Sequence, residues 1–322
     1  VFGTSFGTLF SAGTKASGYN TTCWYTNDGT ITLGEMDNVD APFEYWILFN
    51  DQDTVRHGTL ATQYELKTET GLAPGYYKLI LKDANGCYNE YFPEIIIVAP
   101  PMIKIHSFGK SDYLGYNVSC AGYNDGSVWI DSISGGNKNY SYFWYTYDGA
   151  ITGDNTQDRL DSIPAGKYFV RVTDWLGCEI IDSVTITQPE GMNLDSYTVS
   201  LSQDGNYNIS CYGGTDGFIE MEITGGLGGY SYSWTNNEGY ESTEKDIYNL
   251  SAGTYTATVT DQNGCILKIA PASILPEFTL SEPLPLSLEA DISVSTDGTH
   301  NINCFGGTGS IDITVSGGST GN

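Results

Sequence analysis

Residues 250–265 read LSAGTYTATVTDQNGC, and the order of these sixteen letters decides the architecture. From Thr254 to Thr260, threonines alternate with Tyr255, Ala257 and Val259, the period of two that marks a strand with one buried face. Asp261-Gln262-Asn263-Gly264 has the composition of a tight turn, so Cys265 stands at the start of a returning strand. The same phrase occurs at 163–178 as IPAGKYFVRVTDWLGC and at 72–87 as LAPGYYKLILKDANGC. The chain is therefore a tandem array of one β unit.

The seven cysteines carry the same period. Cys23, Cys120, Cys211 and Cys304 form one series with steps of 97, 91 and 93 residues, and Cys87, Cys178 and Cys265 a second with steps of 91 and 87. Cys23, Cys120 and Cys211 are each followed at five and six residues by Asp-Gly, and at 23 or 24 residues by Trp46, Trp144 and Trp234. Tyr77, Tyr168 and Tyr255 lie ten residues before the second-series cysteine. The period is too long for a solenoid and suits a small sandwich of about seven strands. The expected fold is all-β: immunoglobulin-like sandwiches of about 90 residues, in which the Gly-x-Tyr plays the part of a tyrosine corner. The tryptophans and tyrosines are assigned to the core, each Trp facing the tyrosine-bearing strand of the opposite sheet.

Prolines after each last strand (Pro100-Pro101, Pro189, Pro283 and Pro285) set the expected boundaries. These give repeats at 1–99 (divergent), 100–189 and 190–285, and the start of a fourth at 286–322. Short proline-bearing joints predict a semi-rigid rod. Pairing the cysteines inside each repeat gives Cys23–Cys87, Cys120–Cys178 and Cys211–Cys265, with loops of 54 to 64 residues. Cys304 is then left over. One bridge per repeat places the protein in an oxidising, extracellular compartment.

Composition narrows the partners. With 39 acidic and 13 basic residues, the net charge is −26, which repels phosphate backbones and anionic membranes. No nucleic acid and no direct membrane insertion are expected, since the longest apolar run, near IIIVAPPMI, is broken by two prolines. Hydrophobic content of 40% with 24 Tyr, 12 Phe and 6 Trp is ample for several cores.

The recurring motif, seen most fully in CYGGTDGFIEMEITGG (211–226), YSYSW (230–234) and LSAGTYTATVTDQNGC, resembles the SprB repeat of giant surface adhesins of gliding Bacteroidota. CAGYNDGSVWIDSISGG (120–136) and YSYFW (140–144) are nearly as close, whereas the first repeat keeps CWYTNDGTITL (23–33) and a YW pair. The resemblance implies type 9 secretion, display on the surface of a Gram-negative gliding bacterium, and a part in gliding motility and attachment. Implied partners are neighbouring repeats of the chain, the gliding or secretion machinery and, at the substratum, polysaccharide.

Other motifs carry less chemistry. Gly3-Thr4-Ser5-Phe6-Gly7 matches a nucleophile elbow but lacks the α/β setting that motif needs, and His57, His106 and His300 occupy unrelated repeat positions. Gly109-Lys110-Ser111 lacks the first glycine of a phosphate loop. No enzyme is expected. Asp28, Asp125, Asp216, Asp83, Asp174 and Asp261 could supply oxygens to calcium, but the reading preferred is turn formation, and no cofactor is assigned. Asn-x-Ser/Thr at Asn20, Asn117 and Asn208 falls three residues before a first-series cysteine, which points to a shared structural position; Asn139 and Asn249 complete the set. Asp-Ser/Thr-aliphatic, similar to the O-glycan acceptor motif of the same phylum, marks Thr54, Ser132, Ser162 and Ser183 as candidate sites. The functional expectation is a stalk segment of an adhesin, ahead of a glycan-binding module built on the aromatics and of an accessory domain of a secreted enzyme.

Overall fold

The computed structural model describes residues 9–34, 40–151, 153, 155–270 and 274–319, so the Gly3–Gly7 motif lies outside the described residues. Every regular element among them is a strand. The first repeat holds β1 (Leu9–Ala12), β2 (Gly29–Gly34), β3 (Phe43–Phe49), β4 (Asp53–Leu60), β5 (Lys67–Leu72), β6 (Gly75–Lys82) and β7 (Tyr88–Ile97). The second holds β8 (Lys104–Lys110), β9 (Gly126–Ser134), β10 (Ser141–Thr146), β11 (Gly149–Ala150), β12 (Arg159–Ile163), β13 (Gly166–Thr173) and β14 (Glu179–Ile186). The third holds β15 (Asn193–Val199), β16 (Gly217–Thr224), β17 (Ser231–Asn236), β18 (Glu241–Ser242), β19 (Ile247–Leu250), β20 (Gly253–Thr260) and β21 (Glu277–Leu280). β22 (Ser287–Ile292) and β23 (Ile311–Ser316) open the fourth.

Each seven-stranded set makes one sheet of three strands and one of four. The three-stranded sheets are ordered β1-β2-β5, β8-β9-β12 and β15-β16-β19; the four-stranded sheets are β4-β3-β6-β7, β11-β10-β13-β14 and β18-β17-β20-β21. β22 and β23 pair antiparallel from Ser287↔Ser316 to Ile292↔Ile311. These are immunoglobulin-like sandwiches in tandem. By contact the chain divides into two compact units, Val1–Ser111 with Asp125–Ile186, and Asp112–Asn124 with Thr187–Asn322. The segment that carries Cys120 therefore belongs with the second unit.

Alternation sets the core. In β20, Tyr255, Ala257 and Val259 point inward against Ile219, Met221, Trp234 and Phe278, while the threonines between them stay partly exposed. Tyr168, Val170 and Val172 do the same in β13, and Tyr77, Leu79 and Leu81 in β6. The buried phenols need a partner for their hydroxyl. Tyr77 Oη donates to Ala73 O at 2.7 Å, Tyr168 Oη to Pro164 O at 2.8 Å and Tyr255 Oη to Ser251 O at 3.0 Å. Each hydroxyl thus ties its strand to the carbonyl four residues upstream, the bond of a tyrosine corner.

Trp144 and Trp234 are fully buried, with their indole N–H groups donating to Gln157 O at 2.9 Å and Glu244 O at 3.0 Å. The tyrosine-bearing strand is not opposite them, as the sequence suggested, but beside them in the same sheet: Trp144 pairs with Val170 and Trp234 with Ala257. The first repeat departs further. Trp46 is only half-buried and lies on the outer face of β3, stacked on His57 with ring centroids 4.8 Å apart. The inward residues are Phe43, Tyr45 and Ile47, and the position equivalent to Trp144 and Trp234 is Ile47, paired with Leu79. A one-residue difference in register puts a side chain on the other face of a strand. The core gap is closed by a smaller residue on β3 and a larger one on β6.

Trp234→Ala should therefore lower the stability of its repeat by about 3–5 kcal/mol. Trp46→Ala should cost no more than about 1 kcal/mol. Urea unfolding midpoints of the two variants, followed by circular dichroism, give the comparison; equal losses would contradict the outward placement of Trp46.

Candidate functional site at the disulfide junctions

The loop that carries a first-series cysteine is pinned by the asparagine three residues before it. Asn20 Oδ1 accepts the Val98 N–H at 2.8 Å while the Asn20 N–H donates to Val98 O at 2.8 Å. Asn117 and Thr187 repeat the exchange at 3.1 and 2.9 Å, and Asn208 and Ser281 at 2.9 and 2.9 Å. Each asparagine therefore extends the last strand of its own repeat, and these amides serve the fold. The aspartate five residues after the cysteine closes the loop from the other side. Asp28 Oδ1 accepts the Thr22 N–H at 2.9 Å and the Thr26 hydroxyl at 2.8 Å, and the Thr22 hydroxyl also donates to Asp28. Asp216 holds the Ser210 N–H and hydroxyl in the same way. Burial alone would push the Asp28 carboxyl up. The Thr22 and Thr26 donors, with the Lys15 ammonium 3.2 Å away, outweigh it and hold the carboxyl far below the usual carboxylate range. For Asp216 the Ser210 hydroxyl, against a smaller burial effect, also lowers it.

The second-series turn is equally fixed. Asp174 Oδ1 accepts the N–H groups of Leu176 and Cys178, both at 3.0 Å, and Asp261 Oδ1 those of Asn263 at 2.9 Å and Cys265 at 3.0 Å. The other oxygen reaches the corner that follows the long strand of the three-stranded sheet: Asp174 Oδ2 accepts the Asn137 N–H at 2.8 Å, and Asp261 Oδ2 the Leu227 N–H at 3.0 Å. That corner is Gly135-Gly136 or Gly225-Gly226. A Cβ on Gly135 or Gly225 would stand 2.0 or 2.1 Å from a carbonyl oxygen, and φ is positive at both, so only glycine fits. Asp83 holds the Asn85 and Cys87 N–H groups at 2.9 and 2.8 Å in the first repeat. These contacts give the aspartates the role of turn formers.

The two structures meet across neighbouring repeats. Cys23 is bridged to Cys178, and Cys120 to Cys265, spanning 155 and 145 residues. The pairings Cys23–Cys87, Cys120–Cys178 and Cys211–Cys265 are thus corrected: Cys87 and Cys211 are free and exposed, as is Cys304. Strand polarity supplies the reason. In the first repeat Cys87 opens β7, whereas the Asn20 pin holds the Cys23 loop at its far end, beyond Ile97. Ten residues of strand span about 33 Å. Disulfide Cα atoms lie only about 4.4–6.8 Å apart. A first-series cysteine instead faces the second-series turn of the next repeat. An amide reinforces each junction: Asn137 Nδ2 donates to Thr22 O at 3.0 Å, and Asn263 Nδ2 to Ser119 O at 3.0 Å. These two asparagines occupy different positions in the repeat, yet both serve the carbonyl just before the bridged cysteine.

Loops of this length contribute about 5 kcal/mol each in the chain-entropy account of disulfide stabilisation. The two loops overlap between Cys120 and Cys178, so their contributions are not independent. Among the candidate glycan acceptors, Thr54, Ser132 and Ser162 are exposed and Ser183 is half-buried.

Residues 207–239 match the family described as the SprB repeat, so the third repeat carries that motif. Comparison with curated proteins finds no match. Among solved structures, the three N-terminal domains of the bacteriophage RB49 highly immunogenic outer capsid protein resemble the chain at 12% identity and a TM-score of 0.35, covering 80% of this chain and 91% of that one. The chicken CNTN1 FN1–FN3 domains do so at 11% identity and a TM-score of 0.24, covering 84% and 98%. A tetra-tandem repeat in the extending region of a large adhesion protein does so at 14% and 0.27, covering 98% and 89%. Likenesses this distant say nothing about what the chain binds.

Peptide mapping of the non-reduced protein should return Cys23 linked to Cys178 and Cys120 linked to Cys265, with Cys87, Cys211 and Cys304 open to alkylation; a Cys23–Cys87 peptide would refute the junction. The first-series loops should also be acid-sensitive. Because the folded pKa of Asp28 is depressed below its unfolded value of about 4, its stabilisation is complete at neutral pH and is lost as the pH falls below about 4. Denaturation curves between about pH 5 and pH 2 should show this loss, and Asp28→Asn should make it shallower.

Proposed function

We propose that this chain is a tension-carrying repeat segment of a large cell-surface adhesin, displayed by a gliding Gram-negative bacterium through type 9 secretion and acting in gliding motility and attachment. The SprB repeat at 207–239 supports the adhesin reading, and bridges buried at both junctions suit an oxidising extracellular setting. The observation that carries the mechanical reading is the register of the disulfides. A pull on the backbone from Cys23 to Cys211 would stretch 188 residues, roughly 620–680 Å when extended. Through the Cys23–Cys178 bridge the same pull meets only the 33 residues from Cys178 to Cys211, roughly 110–120 Å. Strands β2 to β13 lie outside that path. Their unfolding cannot lengthen the chain between these points while the bridge holds.

The rival reading, aromatic faces stacked on sugars, loses its recurring element: Trp144 and Trp234 are fully buried and offer no face to a ligand. The acidic surface and the turn-bound aspartates are those of a spacer. No step of bond making or breaking is assigned to it.

Two measurements test this. In single-molecule stretching, the oxidised chain should give short extensions, and reduction of the bridges should lengthen them several-fold; equal extensions in both states would defeat the mechanical role. On intact cells, antibodies raised against residues 190–285 should label the surface, and excising this segment from the full-length protein should weaken attachment under flow; labelling seen only after lysis would defeat the surface assignment.

A further inference from the structure

We infer that Cys211 and Cys87 are open halves of the same junction, so that the bridge register runs on beyond the two bridges seen: Cys211 takes the second-series cysteine of the fourth repeat, and Cys87 the first-series cysteine of a repeat ahead of β1. The first support is local. The Cys211 loop has the architecture that serves the bridged Cys23, with Asn208 exchanging hydrogen bonds with Ser281 and Asp216 accepting the Ser210 N–H and hydroxyl. The Cys87 turn has the architecture that serves the bridged Cys178 and Cys265, with Asp83 accepting two N–H groups and donating its own to Cys87 O at 3.1 Å. Both thiols are exposed, whereas all four bridged cysteines are buried.

The second support is a cleft. Beside Cys120 lies a groove of about 220 Å³ bounded by Gly191, Met192 and Gly226, into which the second-series turn brings Asp261 and Cys265. Beside Cys211 lies a wider cleft of about 560 Å³, bounded by Tyr212, Leu284, Pro285, Leu286 and Gly318. Three of its wall residues, Pro285, Leu286 and Gly318, occupy the positions of Gly191, Met192 and Gly226. The Gly226 N–H donates to Glu190 O at 2.9 Å and the Gly318 N–H to Leu284 O at 2.8 Å. A Cβ on Gly225 would meet Gly191 O at 2.1 Å, and one on Gly317 would meet Pro285 O at 2.1 Å. Leu286 thus stands where Met192 and Ile103 stand in the preceding repeats, and it is 75% exposed while Ile103 is 1% exposed. The cleft at Cys211 shares with the Cys120 junction the wall formed by these corner positions, and the element that fits it is the Asp-x-x-Gly-Cys turn completing the repeat begun by β22 and β23. Cys304, the first-series cysteine of that repeat, is excluded as the partner by the polarity that separates Cys23 from Cys87. Disulfide formation here joins two thiols with loss of two protons and two electrons, taken by the thiol oxidant of the compartment that forms the two existing bridges.

The test uses a chain whose residues 1–318 are followed by a second copy of residues 227–285, which supplies the missing turn and one added cysteine. Non-reduced peptide mapping should link the added cysteine to Cys211 and leave Cys304 open to alkylation. Cys211→Ser in that chain should leave the added cysteine as a free thiol instead of transferring it to Cys304. A link between Cys304 and the added cysteine would overturn the register. The full-length protein isolated from its source under alkylating conditions provides a readout that does not depend on the fused chain folding. There, Cys211 should be found with a cysteine roughly 150 residues downstream and Cys87 with one roughly 150 upstream, the span of the existing bridges. Free Cys211 or Cys87 thiols in that material would overturn the inference.

Discussion

Each junction depends on one buried carboxylate. Asp174 and Asp261 are 3% and 5% exposed, and every partner named for them is an N–H donor. Such a group is costly to bury unless its lone pairs are filled, and here both oxygens are used for different tasks. One oxygen shapes the hairpin turn that presents the second-series cysteine; the other draws in the glycine corner of the facing sheet. The turn is thereby fixed to both sheets of its own sandwich before any bridge to a neighbour is made. The cysteine it presents has one direction to face.

That direction follows from strand polarity. In the first two repeats the second-series cysteine directly precedes the last strand, in the third it lies twelve residues ahead of it, and in all three the asparagine pin places the first-series loop where the last strand ends. The two thiols of a single repeat are kept apart by the length of that strand, and the short connection to the following repeat turns the first-series loop toward its neighbour's turn. Junction asparagines arise at two unrelated positions, Asn137 and Asn263, which shows that the requirement is a donor to the carbonyl before the cysteine and not a particular sequence offset.

Much of this was legible in the letters. The alternation in TYTATVT, the Asp-x-x-Gly turns and the recurring Gly-x-Tyr led to seven-stranded sandwiches with tyrosine corners, because each is a local rule with a local cause. The cysteine partners were not legible, since a strictly periodic array offers the same spacings whether a bridge closes within a repeat or reaches the next. The signal that could have decided it was present: the asparagine three residues before each first-series cysteine only makes sense at the end of the last strand, far from the hairpin. Trp46 misled for a different reason. In FEYWILF the run from Tyr45 to Phe49 has no polar break, so alternation there does not choose a face, and the matching distance from Cys23 suggested Trp46 where Ile47 fills the core.

The overlap of the two disulfide loops also orders events in time. As the chain emerges from the N-terminal side, Cys23 is exposed and its loop can be shaped, yet its partner Cys178 arrives 155 residues later, after the whole of the next repeat's sheet strands up to β13. By then Cys120 has also appeared and waits in turn for Cys265. At any moment the growing array carries a leading edge of one or two unpaired thiols, and each is consumed only when the repeat behind it has built the Asp-x-x-Gly turn in its native place. If the chain enters its oxidising compartment N-terminus first, bridge formation lags that entry by about one and a half repeats. A repeat that fails to build its turn would leave the first-series thiol of the repeat before it unpaired, a reactive mark of where assembly failed.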